Sequence, residues 1–435
     1  MPTQDFSKQI ERSCFQVESG LRKASWLIAA IAFLGLALPA YHSTQAVPAF
    51  ARKYGLQCGA CHTSPPRLNE AGYRFRAAGF RWPDAIGSKE HDERFDILDY
   101  MSVRLQVRFD ANKSNIGSTT RTSHDFKMQA FELYPFVGSF GRYLSADTKI
   151  TFGSDGKPLI ENSYLKTNFG SAKRFFGTRV GIFHPYDGYG GSDSPATISR
   201  PFIQTVPANL NGSTFFTTWG FDQLGWETGF DYKRTSVRAT LLNGLVLSKE
   251  DDRFKVSAAQ GGALTAPSVA PPTHTSDFQL FVNHILHPEG GGLSLHYYHG
   301  NLSLPINNMN TFFHNRFDRV ALYGSYPVTK RLQLFGGVQW GRDHLPIGNT
   351  FASEGGFVEA SVPIKQLSAA GVRYDWFDPA RSAQNNEIKG ITAYVNTWFY
   401  SQFRVVTEYQ HRNTKRGLAA EQRDDLFQIR FIYIK

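Results

Sequence analysis

From about Tyr100 to the C-terminus, apolar and polar residues alternate with period two. Val103, Leu105, Val107 and Phe109 alternate with Arg104, Gln106, Arg108 and Asp110 without a fault. The pattern returns with Val372, Tyr374 and Trp376 against Arg373 and Asp375, and with Phe403, Val405, Thr407 and Tyr409 against Arg404, Glu408 and Gln410. The last run carries Phe427, Ile429, Phe431 and Tyr433 on one face. Successive strand side chains point to opposite faces, so these runs predict strands with one apolar and one polar side. Breaks rich in Gly, Asn, Ser and Pro separate them, at 111–124, 187–195, 249–274 and 378–389. Such strands, joined by short turns and some long loops, are the pattern of an outer-membrane barrel. Residues 100–435 number 336, and ~21 residues per strand with its share of connection gives about sixteen strands. A barrel that wide is expected to hold a water-filled lumen, with Leu105 facing lipid and Gln106 facing inward. A soluble pair of β-sandwiches would show the same alternation. The high aromatic content and the apparent export signal favour the barrel, although the chain finishes on Lys435 where such barrels usually end on an aromatic residue.

Before the barrel the texture differs. In residues 1–46, Arg22 and Lys23 precede an apolar run of thirteen residues, Trp26 to Leu38, which Pro39 ends. Thr44-Gln45-Ala46 offers small residues at the cleavage spacing, so 1–46 reads as a signal peptide. The run falls short of the ~20 residues that cross a bilayer as a helix, which predicts removal rather than anchoring. Cys14 belongs to this segment, leaving Cys58 and Cys61 as the remaining thiols.

Residues 47–99 hold Cys58-Gly59-Ala60-Cys61-His62. C-x-x-C-H is the attachment sequence of a c-type haem. Two thiols at this spacing can form thioethers to the vinyl groups of one porphyrin, and the adjacent imidazole ligates the iron from the proximal side. Zinc would need further Cys or His ligands close by, and a thioredoxin-like site would need a βαβ setting. One covalent haem c on Cys58 and Cys61, with His62 as the proximal iron ligand, is the expectation. The sixth ligand stays open between His91, Met101, another residue or none. Pro65-Pro66 is placed to open a helix, with Leu68, Gly72 and Phe75 on one face and Gly79 at its C-terminal cap. A piece of about fifty residues has little core of its own, so Leu68, Phe75, Phe80 and Trp82 are candidate neighbours of the porphyrin. Seven Lys and Arg between Arg52 and Lys89, against Glu70 and Asp84, are candidate partners for its propionates.

Composition adds one exclusion. The net charge of +10 and pI near 9.4 are spread along the chain, with no basic run or nucleic-acid motif, so nucleic acid is not expected as a partner. His284-x-x-His287 and His296-x-x-His299 have metal-like spacing only on a helix; on strands each pair splits between opposite faces. No nucleophile elbow, phosphate loop or zinc-protease motif occurs.

The run Phe50-Ala51-Arg52-Lys53-Tyr54-Gly55, the C-x-x-C-H motif, and then Pro66, Leu68, Asn69, Gly72, Phe75, Gly79 and Phe80 resembles the fused cytochrome–porin family. Those are outer-membrane monohaem cytochromes best known from Fe(II)-oxidising bacteria. The match covers roughly residues 47–83, and over the barrel the likeness is one of layout. It implies a mainly β protein: an outer-membrane barrel of about sixteen strands over 100–435, preceded by a small, partly helical monohaem cytochrome segment over 47–99. It further implies electron transfer from an extracellular donor, Fe(II) first, through the haem to periplasmic cytochromes or other carriers. A role as an Fe(II) oxidase follows as one candidate, with the haem close enough to the outer mouth for contact. Two other functions remain open. One is a solute porin plugged by its haem piece without electron traffic; the other is an electron carrier tethered to a soluble β-domain.

Overall fold

The computed structural model describes residues 53–88, 99–153, 156, 158–184, 196–205, 207–210, 213–216, 223–243, 245–246, 277–305, 312–344, 350–365, 368–381, 386–399, 402–416 and 419–435. The targeting segment 1–46, His91 and the breaks 187–195 and 249–274 lie outside them.

Sixteen long strands close into one antiparallel barrel. In chain order they are β1 (Ser102–Ile116), β2 (Thr119–Phe140), β3 (Leu144–Phe152), β4 (Pro158–Ser171), β5 (Arg174–Phe183), β6 (Gln223–Tyr232), β7 (Thr235–Leu242) and β8 (Asp277–His287). There follow β9 (Gly291–Pro305), β10 (Phe312–Thr329), β11 (Leu332–His344), β12 (Thr350–Lys365), β13 (Ser368–Asp378), β14 (Ile388–Phe399), β15 (Phe403–Arg416) and β16 (Ala419–Ile434). The ring closes where β16 pairs with β1, Phe431 opposite Val107. Lys435 completes that seam, exchanging backbone hydrogen bonds of 2.7 and 2.9 Å with Val103. Closure satisfies every strand edge, which a lipid environment requires.

The alternation sorts as the sequence predicts. Val358, Val372 and Ile391 stand about half exposed on the outside, while Glu359, Arg373 and Thr392 beside them are fully buried inside. Leu105 is on the outer face, and Gln106 points inward to bond Glu132 at 3.0 Å. His296 and His299 likewise divide, the first buried, the second at Asp318. An apolar outer face on a closed barrel is the geometry of a lipid-embedded protein, and the chain is an outer-membrane β-barrel.

Two expectations need correction. Residues 111–124 are not a break: β1 and β2 run through them and turn only at residues 117–118. Most of the tip is exposed and polar, because a strand projecting beyond the hydrocarbon has water on both faces and no reason to alternate. The lumen is also not simply water-filled, since many inward charges are buried. Residues 196–205 fold against the inner wall of β12 to β16. Glu408 accepts the backbone N–H groups of Ile198 and Ser199 at 2.6 and 3.0 Å, and Asp375 accepts that of Phe202 at 3.2 Å. Arg373 donates to Thr197 and Ser199 at 3.0–3.1 Å. Buried charges persist here because the inserted segment supplies their hydrogen-bond partners.

The connections differ at the two ends. At one end they are two or three residues long: 141–143, 172–173, 233–234, 288–290, 330–331, 366–367 and 400–402. At the other lie the long ones, 184–222 and 243–276. Short turns face the periplasm in barrels of this kind.

Candidate haem-attachment site

Residues 53–88 belong to the same compact unit as the barrel, Gln45–Lys435, and form a plug at the short-turn mouth. The motif opens in a single 3-10 turn, Cys58–Ala60, closed by Cys61 N–H donating to the Cys58 carbonyl at 3.2 Å. A two-stranded hairpin follows, His62–Ser64 with Arg67–Leu68, turning at Pro65-Pro66. The prolines therefore turn a hairpin, and the helix starts later, as α1 (Glu70–Ala77). Asn69 is the reason. Its side-chain oxygen accepts the Gly72 N–H at 2.9 Å, capping the helix. Its amide also donates to the Ala60 carbonyl at 3.2 Å, tying α1 to the motif.

Two glycines make this packing possible. A Cβ on Gly72 would lie 2.2 Å from the Cys61 carbonyl oxygen, so only glycine lets α1 rest on the motif. Gly79, with φ +73°, follows the helix where the sequence places the cap, and a Cβ there would meet Ser145 of the wall at 2.3 Å. Phe75 is the plug's centre, its ring edge-on to Tyr54, Phe80 and Trp82 at 5.6, 6.4 and 5.4 Å. Ala77, Ala78 and Ile86 continue this core onto Phe175 of β5.

The donor set fits a c-type haem. Cys58 and Cys61 are free, half-buried thiols. The His62 Nδ1 lies 3.2 Å from the Arg67 carbonyl. With its proton directed there, Nε2 is left as the ligating atom, the usual way an outer hydrogen bond fixes a ligand's tautomer. Burial pulls the imidazole down to about 4, against the bonds to the carbonyls of Arg67 and Pro66. It is therefore neutral at physiological pH, the form that binds metal. Beside α1 a cavity of about 330 Å³ opens, lined by Asn69, Glu70, Ala71, Arg74, Trp82, Pro83 and Pro288; Cys58, Cys61 and His62 do not line it. Met101 does not belong to this cluster. It is exposed and takes the parity of Leu105, while Tyr100 next to it turns inward to Lys53.

Four of the seven basic residues that the sequence offers to propionates are bonded to the wall. Arg81 donates to the carbonyls of Gly141, Arg142 and Leu144, Arg74 to that of Ala172, and Lys53 to Tyr100 and the Ser139 carbonyl. Arg67 is engaged with the wall: its guanidinium pairs with Glu359, donates to the Tyr394 hydroxyl at 2.8 Å and lies 3.7 Å over Phe335. Asn396 donates to the Pro65 carbonyl at 2.9 Å, and Lys166 to that of Ala77 at 2.6 Å. These four described cations bolt the plug to the barrel, because turn carbonyls and a buried carboxylate at the mouth need donors. Glu359, Tyr394 and Asn396 are site residues that the sequence conceals, since each is one more polar residue at an inward position.

The placement also corrects the expectation of a haem near the outer mouth. The motif hairpin meets the turn at 288–290, where Thr63 donates to the Glu289 carbonyl at 2.8 Å, so it lies at the short-turn, periplasmic end.

No family model and no curated protein matches the chain. Among solved structures it is similar to an anion-selective porin from Comamonas acidovorans, with TM-score 0.48 and 12% identity over 77% of this chain and 99% of that one. It is similar also to the outer-membrane protein OmpT of Vibrio cholerae in its trimer form, TM-score 0.47 and 12% identity, covering 77% and 100%. A third is the outer-membrane channel DcaP of Acinetobacter baumannii, TM-score 0.45 and 12% identity, covering 77% and 97%. The barrel described above stands on its own strand pairing, whatever weight these likenesses are given.

Proposed function

We propose that this protein is an outer-membrane barrel whose periplasmic mouth carries one covalent haem, on Cys58 and Cys61 with His62 as proximal ligand, and that it exchanges electrons with periplasmic carriers. One observation carries the reading: a C-x-x-C-H motif with free thiols, and an imidazole whose Nδ1 faces a carbonyl, in a plug fastened to that mouth. A haem so held supplies one-electron redox chemistry. The chain's own residues do the positioning. The Arg67 carbonyl orients His62, Asn69 and Gly72 clamp the motif against α1, and Glu359, Tyr394 and Asn396 hold the hairpin to the wall. In this reading the donor is extracellular, Fe(II) first, and reaches the plug by way of the lumen.

The barrel fold by itself favours a second reading, a solute porin in which the haem piece is a plug or staple without electron traffic. Vesicles of known orientation separate the two. Fe(II) added on the long-loop side should reduce the haem band and then an enclosed cytochrome. Reduction only from the short-turn side would make the conduit outward. Free passage of small sugars with no reduction from either side would leave the plugged porin as the function.

A further inference from the structure

We infer that the short-turn rim is a docking face for an acidic periplasmic protein, which under the proposed function is the plug's electron-transfer partner. The five described short turns are 141–143, 172–173, 233–234, 288–290 and 330–331. They carry Arg142, Lys173, Lys233, Arg234, Lys330 and Arg331, all exposed, and a single carboxylate, Glu289. These turns are consecutive and form an arc along the rim beside the plug, whose own exposed carboxylate is Asp84. Arg234 reaches inward to Glu70 at the start of α1, 2.8 Å away, and the last turn of that helix adds Arg76, Arg74 being bonded to the Ala172 carbonyl.

The opposite end mixes its signs and pairs them. Arg381 meets Glu354 at 3.3 Å, Lys389 and Lys415 meet Glu387 at 2.9 and 3.5 Å, and Arg423 meets Glu421 at 3.0 Å. Overall basicity would not produce this asymmetry; a field directed at one mouth would. Concentrated charge of one sign steers an oppositely charged partner and raises association rates by about 10- to 1,000-fold. Anionic headgroups of the inner leaflet are the rival occupant. They reach the outer edge of the turns but not Arg76 on α1, inward of that arc, so a protein face fits the distribution better.

The test uses the full-length protein in phosphatidylcholine nanodiscs, with a fluorescein-labelled 20-residue polyglutamate peptide standing in for the acidic face. Anisotropy should show binding at low salt that is lost at high salt, and no binding of a polylysine peptide. Replacing Lys173, Lys233, Lys330 and Arg331 together by Gln should weaken polyglutamate binding at least tenfold, with heat-modifiable gel migration confirming the barrel. Unchanged affinity in the variant, or equal binding of polylysine, overturns the inference. Loss of wild-type binding when phosphatidylglycerol is added to the disc assigns the rim to lipid and overturns it too. The assay does not require haem. Rim binding in a protein without covalent haem would defeat the proposed function alone, and covalent haem without rim binding would defeat this inference alone.

Discussion

The wall and the plug turn opposite kinds of residue outward. Along β12 and β13 the apolar side chains Val358 and Val372 lie outside, and the charges of Glu359 and Arg373 lie inside at no exposure. In the plug Phe75, Ala77, Ala78 and Ile86 lie within and Arg74 and Arg76 towards the surface, while Arg67 and Arg81 are buried where they meet the wall. The solvent sets the sign in both. Lipid accepts apolar side chains without penalty, so the wall has no hydrophobic reason to hide them, whereas water at the mouth gives the plug one. The two regions meet as complements: polar wall against the plug's cations and carbonyls, with one apolar bridge at Phe175. The plug's fixation therefore rests on buried hydrogen bonds and on the ion pairs Arg67–Glu359 and Glu70–Arg234 more than on area.

The largest expected effect tests whether haem is part of that plug. Changing Cys58 and Cys61 to Ala should abolish covalent haem, read as loss of the denaturation-resistant haem stain and of one haem per chain by pyridine haemochrome. The barrel should still show heat-modifiable migration, since no strand pairing involves these residues. Covalent haem persisting in the double variant would end the attachment reading.

Next comes the seam. Glu359→Gln leaves the buried Arg67 guanidinium without its counter-charge, and breaking one partner of a buried pair costs about 3–5 kcal/mol. The loss should appear in plug docking, as protease cleavage between 53 and 88, with the barrel intact. Arg67→Met combined with Glu359→Leu should recover most of it, because both charges then leave together. If cleavage is equally slow in Glu359→Gln, the ion pair does not hold the plug.

The barrel was legible in the sequence because lipid outside and polar groups inside impose period two, and Leu105 and Gln106 fell on the faces their alternation gives. Cys58, Cys61 and His62 stand out as a candidate site because their spacing is local chemistry. The seam was not. Glu359, Tyr394 and Asn396 lie about 300 residues from the hairpin they hold, and no period marks an inward polar residue as an anchor. The hairpin at Pro65-Pro66 was missed for a similar reason: proline suits both a helix start and a tight turn, and Asn69 decides between them through contacts with Gly59 and Ala60 that only the fold creates. The polar tips of β1 and β2 read as loop because alternation stops where the lipid does.

A smaller effect sharpens the contrast between faces. Val358→Arg, one residue from Glu359, puts a charge into lipid, where Arg near the midplane costs about 2–4 kcal/mol. It should lower barrel stability in a denaturant titration in detergent or bilayer while leaving plug cleavage unchanged. Glu359→Gln should do the reverse, so the two neighbours form a test of which region each face serves. A Val358→Arg barrel as stable as the parent would place that face away from lipid.

The smallest expected effect lies in Lys53, where the plug meets the wall. Its ammonium donates to the Tyr100 hydroxyl at 2.7 Å and to the Ser139 carbonyl at 2.9 Å. Burial nevertheless pulls its pKa from 10.5 to about 8, with Asp99 raising it and Arg81 lowering it further. The docked state therefore disfavours the charge. Between about pH 8 and 10.5 the released plug holds a proton that the docked plug has lost, so docking strengthens as pH rises through that window. Below pH 8 both states are charged and the dependence fades. Tyr54 and Tyr100 are pushed up by burial, so near pH 10, where the released tyrosines ionise and the docked ones do not, they oppose the trend, and the measurement stays below that range. Hydrogen exchange over residues 53–60 should slow severalfold from pH 7.5 to 9.5 after correction for the intrinsic rate, and Lys53→Met should flatten the slope. Faster corrected exchange at the higher pH, or an unchanged slope in Lys53→Met, would mean that Lys53 docks in its charged form and that the seam at Ser139 is an ordinary solvated contact.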